Sequence, residues 1–370
     1  MKRITFLFVI LLVSSCSRVS ESPPAELAVS TPARPQIAVE RDTEAITLAL
    51  GGDVMLGRLV NEAIRTQGPL YPWGNVLPLL QEADLALVNL ECVIAETGEP
   101  FSPPRVFYFK ADPQAVESLT LAGIDYVTLS NNHAMDFQAP ALLETLRHLD
   151  EHGIAHAGAG RNAQEASQYA LLEARGIKVG VVAFADHFQE YGATPLSPGP
   201  SFIPITLQEP SFNRVQQSIE SARDAGADLV VFSIHWAPNM RRAPPRHFKE
   251  FARAVMDAGV DIFHGHSAHI FQGVEIYKGK PILYDTGDLI DDYYVDMAYK
   301  NDQQLLFLVI ATRNGIDRLE LVPVLTSNFQ VNLAPEAEFD QIYERMHELA
   351  GAMGIQVKRT PDRLLIDLAE

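Results

Sequence analysis

Cysteine is nearly absent from this 370-residue chain, which contains only Cys16 and Cys92. Two cysteines cannot build a disulfide framework or an iron–sulfur centre. Positive charge is also scarce: 29 Lys and Arg stand against 47 Asp and Glu, a formal net charge of −18. Such a surface repels nucleic-acid phosphates, so a nucleic-acid reader is excluded, and a polyanionic partner needs bound cations or clustered arginines to reverse the field. Also missing are a long low-complexity tract and an apolar run long enough to span a bilayer, which rules out collagen, coiled coil and multi-span membrane protein. What is present, 47% hydrophobic and 21% charged residues, is the composition of a packed globular chain with one large α/β domain or two ordinary ones.

The N-terminus reads as an export signal over residues 1–15. Lys2 and Arg3 supply the cationic start, and Phe6 to Val13 is an unbroken apolar run too short for a permanent span. Val13-Ser14-Ser15-Cys16 resembles a bacterial lipobox, which implies lipidation of Cys16; an ordinary signal cut nearby is the alternative. Two or three acyl chains would hold the protein stably where one would not. Ser17, after the Cys, resembles the outer-membrane sorting pattern, so a lipid-anchored protein of the bacterial envelope facing the periplasm is expected. Residues 16–43, with Pro23, Pro24, Pro32 and Pro35 among Ser, Glu and Ala, read as the lipidated Cys and a tether. Cys92 reads as a small buried residue.

From Ile46 the chain alternates short β-branched runs with amphipathic stretches, the pattern of an α/β fold. Strands are expected at Ile46–Leu50, Leu85–Leu90, Tyr126–Leu129, Lys178–Ala183, Leu229–Ile234 and Asp261–His264. Helices are expected at Pro113–Ala122, Pro140–His152, Phe212–Ala225 and Pro245–Ala258, each followed by a glycine suited to a left-handed cap. Val274–Tyr277 and Pro281–Tyr284 flank a hairpin turn, and Leu305–Thr312 and Arg318–Pro323 flank another at Asn314-Gly315. This mixture predicts layered mixed sheets with helices outside. The main domain covers 44–330; 331–370 adds a helix from Glu336 and a closing segment packed on it.

The polar residues fall at the carboxyl ends of these strands. The first strand runs into Asp53, the second into Glu91, the third into Asn131, Asn132 and His133. Later strands deliver His235, then His266 and His269, then Asp285 and Asp288. Carboxyl ends form the ligand-binding rim of an α/β sheet, so these clusters are expected to converge. Asp53 alone would read as a helix cap and His133 alone as a satisfied core histidine. Together they are metal-ligand types, and carboxylate, amide and imidazole without thiolate suit Mn, Fe or Zn. Two such ions can activate water and neutralise a phosphate, with His133 protonating a leaving oxygen.

At these motifs the chain resembles the poly-γ-glutamate capsule synthesis proteins called CapA, a branch of the calcineurin-like metallophosphoesterase superfamily. The matching segments are Gly52-Asp-Val-Met-Leu-Gly-Arg58, Asn89-Leu-Glu91, Asn131-Asn-His-Ala-Met-Asp136, His235-Trp236 and Gly265-His-Ser-Ala-His269 with Gln272 to Gly279. The resemblance implies a four-layer αββα sandwich with mixed sheets. It also implies Asp53 on one metal, Glu91 bridging, Asn132 and His235 on the second, and His266 and His269 completing the shells. His133 takes the general-acid position, oriented by Asp136. Two departures stand out: Met55 replaces the superfamily's His, and Glu91 replaces a shorter Asp. Asp288 either compensates as an extra carboxylate or is a turn residue of Asp285-Thr-Gly-Asp288.

Arg241 and Arg242, close in sequence to His235, and Arg58 are expected to recognise anionic groups. A metal-dependent hydrolase acting in synthesis or export of poly-γ-glutamate or another anionic capsule polymer, alongside other capsule proteins, is the leading expectation. A general periplasmic phosphodiesterase or phosphatase, and a non-catalytic polymer- or partner-binding envelope protein, are the alternatives.

Overall fold

The computed structural model describes residues 44–368. The export signal, Cys16 and the tether expected from the sequence lie outside the described residues. Two mixed sheets dominate. Their strands are β1 (Ile46–Val54), β2 (Leu85–Leu90), β3 (Tyr126–Thr128), β4 (Ala155–Ala157), β5 (Ala170–Ala174), β6 (Ile177–Ala185), β7 (Leu229–His235) and β8 (Ile262–His266). There follow β9 (Val274–Tyr277), β10 (Lys280–Leu283), β11 (Asp288–Ile290), β12 (Gln303–Thr312), β13 (Gly315–Ser327), β14 (Gln330–Leu333), β15 (Lys358–Arg359) and β16 (Leu364–Asp367).

The ten-stranded sheet runs β15-β16-β13-β12-β1-β2-β3-β4, with β11 beside β1 and β14 beside β13. Its β1-to-β4 half is parallel and its β12-to-β16 half antiparallel. The six-stranded sheet runs β9-β10-β8-β7-β6-β5, parallel in the middle and antiparallel at both edges.

Alternation along the strands explains why the sheets stack. Leu48 and Leu50 of β1, Leu85 and Leu87 of β2, and Leu305, Phe307 and Val309 of β12 share one core with Val179 and Val181 of β6 and Leu229 and Val231 of β7. Their sequence neighbours Ala49, Ala86, Val88, Leu306 and Leu308 point the other way, into a core with α1 (Arg58–Gln67), α2 (Ala115–Ala122) and α3 (Gln138–Glu151). On the second sheet Val182, Val230, Phe232 and Ile234 pack against α4 (Ser211–Asp224) and α5 (Arg246–Asp257). A strand with period two and apolar residues on both faces must be covered on both sides. The result is helix, sheet, sheet, helix, the four-layer sandwich that the family resemblance implies.

The C-terminal helix α6 (Glu336–Gly351) contributes Phe339, Ile342 and Met346 to the core between the sheets, and β16 pairs with β13. Among the described residues no helix is long and apolar enough to cross a membrane. Cys92 is buried in the core beneath the ten-stranded sheet, and burial pushes its thiol up to about 12, which leaves it inert as a nucleophile.

Candidate metal centre

The site is built where β1 breaks register with β2 after Leu50. Gly52 makes this possible: a Cβ there would lie 1.8 Å from the carbonyl oxygen of Gly287. Without a side chain the backbones meet, the Asp53 N–H donates to that carbonyl at 2.9 Å, and β11 pairs in parallel beside Asp53. The bend thus sets the Asp53 carboxylate beside the last residues of the neighbouring strands.

Two groups of ligand atoms share Asp53. One is Asp53, His235 and His266; the other is Asp53, Glu91, His269 and Asp288, and all of these residues are buried. In the first, the Nδ1 atoms of His235 and His266 lie 3.0 Å apart and face Asp53 Oδ1 at 3.6 and 3.3 Å. His266 Nε2 lies 3.1 Å from Ser233 Oγ, which fixes the ring, and Ser233 is paired in turn with Thr128 Oγ1 at 2.7 Å. In the second group, His269 Nδ1 lies 2.8 Å from Asp288 Oδ1 and 3.4 Å from Asp53 Oδ2. Glu91 spans the groups: one carboxylate oxygen lies 3.6 Å from His235 Nε2 and the other 4.0 Å from His269 Nδ1. The strand-end residues therefore meet, and Asp288 sits in the cluster as an additional carboxylate.

A loop under backbone strain presents His269. Ser267 and His269 have φ of 118° and 59°, values that L residues adopt only when the surroundings impose them. The imposition is visible: the Ala268 N–H donates to Asp285 Oδ2 at 2.8 Å, and Gln304 Nε2 donates to the His269 carbonyl at 2.9 Å.

A fit to divalent metal can be tested on the orphaned atoms. Asp53 Oδ2, Glu91 Oε1, Asn132 Oδ1, His235 Nε2 and Asp288 Oδ2 are buried without a hydrogen-bond partner. Five unpaired atoms of one small region would be strongly unfavourable unless something positive satisfied them. The protonation of the residues carries the same message. Burial, reinforced by the charge of Asp53, pushes Glu91 well above the usual carboxylate range. Burial opposes a charge on His269, yet Asp288 and Glu91 hold its imidazole well above the usual value, while burial drives His235 well below it. The cluster crowds carboxylates so closely that, left to protons, it must take some up. Oxygen and nitrogen donors of this kind fit a divalent cation.

The supporting polar residues were only partly legible from sequence. Asn89, in the wholly buried run Leu85–Leu90, donates to Asp53 Oδ1 at 2.7 Å, and Asn131 donates to Asn89 Oδ1 at 3.0 Å and to the Leu90 carbonyl at 2.8 Å. Asn131 Oδ1 also accepts from the His133 N–H at 3.0 Å, so one amide chain links Asp53 to His133. Tyr293, unsuspected from sequence, donates its hydroxyl to Glu91 Oε2 at 3.3 Å. Met55, where the superfamily resemblance implies His, is buried in the apolar core and accepts the Gly57 N–H on its sulfur at 3.1 Å.

Above the cluster opens a cavity of about 840 Å³ whose wall includes Asn132, His133 and His269. His133 Nδ1 donates to Asp136 Oδ2 at 2.6 Å, and that oxygen also accepts the Phe109 N–H at 2.7 Å. Phe109 stacks on the imidazole with centroids 3.8 Å apart. The ring is held on two sides, and its free Nε2 lies 3.9 Å from Glu91 Oε1. Arg58 lines the same cavity, 3.2 Å from Asp292. Arg241 and Arg242 do not. After His235 the chain turns through left-handed conformations at Ala237 and Met240, and Arg242 donates to the Ala298 carbonyl and faces the Tyr299 ring beside a different cavity. The second cationic side chain on the wall is Arg105, which sequence proximity did not suggest.

Residues 47–293 match the family model of the bacterial capsule synthesis protein PGA_cap. The chain belongs to this family. Named relatives are similar to it over much of its length. A "Probable polyglutamine synthesis accessory protein" of Mycobacterium tuberculosis is 29% identical over 365 residues, covering 87% of this chain and 96% of its own. The "Capsule biosynthesis protein CapA" of Bacillus anthracis is 29% identical over 259 residues, 68% of this chain and 61% of that one. The "PGA biosynthesis protein CapA" of Bacillus subtilis is 23% identical over 283 residues, 76% and 72% respectively. The PGA_cap match spans Asp53, Glu91, His133, His235, His266, His269 and Asp288.

Proposed function

We propose that this protein acts in the synthesis or export of a poly-γ-glutamate or related anionic capsule polymer, through a metal-dependent hydrolytic centre. Family membership and the names of the relatives support the pathway. The observation that carries the chemistry is the pair of buried ligand groups sharing Asp53 at the floor of an open cavity. Two ions of Mn, Fe or Zn would be held by Asp53, Glu91, Asn132, His235, His266, His269 and Asp288. Bound there, divalent cations supply Lewis acidity and water activation for attack on an ester or amide.

The chain's own residues do the rest. Asp136 accepts the Nδ1 proton of His133, leaving Nε2 toward the cavity as the nitrogen that exchanges a proton with a leaving oxygen. Asn89 and Asn131 hold Asp53 and the His133 backbone in one frame. Arg58 brings positive charge to the cavity wall for an anionic group. In this reading Cys16 lipidation anchors the protein in the cell envelope, facing the periplasm, where its partners are the membrane and other capsule synthesis or export proteins.

Replacing His133 separates catalysis from metal binding. His133→Ala is expected to lower turnover of an anionic ester about 10²- to 10⁴-fold with metal content unchanged. Equal turnover in both proteins would remove His133 from the reaction, and no turnover in the wild type on any ester or γ-linked peptide would leave a binding protein.

A further inference from the structure

The cavity above the metal centre has the wrong wall for a polyanion. Among the described residues its only Lys or Arg side chains are Arg58 and Arg105, and each already faces a carboxylate, Asp292 at 3.2 Å and Glu190 at 3.5 Å. Arg105 is further enclosed by aromatic rings, its guanidinium 3.7 Å from the Phe188 centroid and 4.0 Å from that of Tyr191. A chain with formal net charge −18 offers no wider field to draw in a polymer of carboxylates.

Besides the polar side chains of Asn132, His133, Asn239, His269 and Asp292, the wall carries a larger set of apolar and aromatic ones. Phe109, buried, stacks on His133, and Tyr293, partly buried, reaches Glu91. Phe107 and Phe188 follow at 54% and 37% exposure, and Val106 and Tyr294 stand at 86% and 88%. All six line the same cavity. Exposed apolar side chains arranged continuously from a polar floor to a mouth mark a binding surface, since isolated ones need no explanation but a contiguous run does.

We infer that the ligand of this cavity is an amphiphile: one anionic head group, a phosphate ester, seated over the metal-ligand cluster, and an aliphatic chain running out along Phe107, Phe188, Val106 and Tyr294. The inference rests on the metal-centre reading for its head group and goes beyond it for its tail. A chain fits better than a compact ring, because the apolar side chains of the cavity range from buried Phe109 to the strongly exposed Val106 and Tyr294. It also separates the group that enters the site from the polymer itself: lipid-carried material reaches the metal-ligand cluster and a bare polycarboxylate does not.

Calorimetric titration of the purified, Mn²⁺-loaded protein with methyl phosphate, hexyl phosphate and tri-γ-glutamate tests this. Hexyl phosphate is expected to bind at least about tenfold more tightly than methyl phosphate, as burial of part of a five-methylene extension requires, and tri-γ-glutamate more weakly than either. In Phe107→Ala and Tyr294→Ala the hexyl-to-methyl ratio should fall toward one. Equal binding of the two phosphates by the wild type, or tri-γ-glutamate binding tightest, would overturn the inference while leaving the metal centre in place. If Mn²⁺ is not retained and methyl phosphate does not bind, the hydrolytic reading fails and the amphiphile site fails with it.

Discussion

The two ligand groups that share Asp53 are built differently. His235 and His266 end adjacent parallel strands, paired in register as Val231 to His235 with Ile262 to His266, so the fold places their rings side by side with little choice. The Glu91, His269 and Asp288 group draws on a strand end, a strained loop and the short strand β11. The first group is imidazole-rich with one carboxylate; the second holds three carboxylates around one imidazole. Rigid strand ends suffice for neutral ligands, whereas crowding carboxylates needs a scaffold that resists their repulsion, here Asp285 and Gln304 bracing the loop.

The largest break in this comparison removes what the groups share. Asp53→Asn keeps the shape and the Asn89 contact but takes the charge from both, and metal content by elemental analysis should drop to near zero with activity lost. Retention of one full equivalent would show that the groups are independent.

A smaller change separates them. His266→Ala should abolish binding in the imidazole-rich group and leave the other, whereas Asp288→Asn should weaken the carboxylate-rich group about 10- to 100-fold and spare the first. Titration of metal-stripped protein with Mn²⁺, read by calorimetry, would show one class of site disappearing in the first variant and shifting in the second. Identical isotherms would sink the distinction.

The smallest effect is on pH dependence without metal, where the groups pull in opposite directions. Burial holds the imidazole of His264, which lies on β8 two residues before His266 and outside both groups, down at about 3, and lowers His235 as well. An unfolded histidine takes up its proton near 6.5, so metal-free stability falls as pH drops from there toward 3. Glu91 and His269 are raised. Their protonated forms favour the folded state, so stability is also lost as pH rises from the ordinary carboxylate range through the raised His269 value. Melting temperatures across pH 4–9 should therefore show a narrow maximum in chelator, shifting by roughly a few degrees per kcal/mol, and a broader one with Mn²⁺. His264→Gln should flatten the acid limb only; an unchanged acid limb would remove His264 from the account.

What was legible in the sequence follows the same division. Strands β2 and β7 begin where their runs of Leu, Val, Phe and Ile begin, because a strand covered on both faces has no polar alternation to blur its ends. The meeting of Asp53, Glu91, His235, His266 and His269 was readable because strand direction alone brings carboxyl ends together. Asp288 stayed ambiguous because Asp-Thr-Gly-Asp is also good turn chemistry, and only the pairing of β11 with β1 decides its place. Arg241 and Arg242 misled because nearness to His235 along the chain is undone by the turn at Ala237 and Met240. Arg105, Phe107, Phe109 and Tyr293 left no periodic trace, since they sit on long connections whose positions depend on distant contacts. The one available signal was Asn89, an amide inside an otherwise apolar strand, which must find buried partners.

The central claim is that this family member carries a metal centre of two groups joined at Asp53. Elemental analysis of protein purified without chelators or a His-tag, after exposure to Mn²⁺, Fe²⁺ and Zn²⁺, addresses it most directly when wild type and His266→Ala are compared. Two equivalents per chain in the wild type and about one in the variant are the expected result. No bound metal in the wild type would contradict the account and leave a buried acidic cluster without its counter-charge.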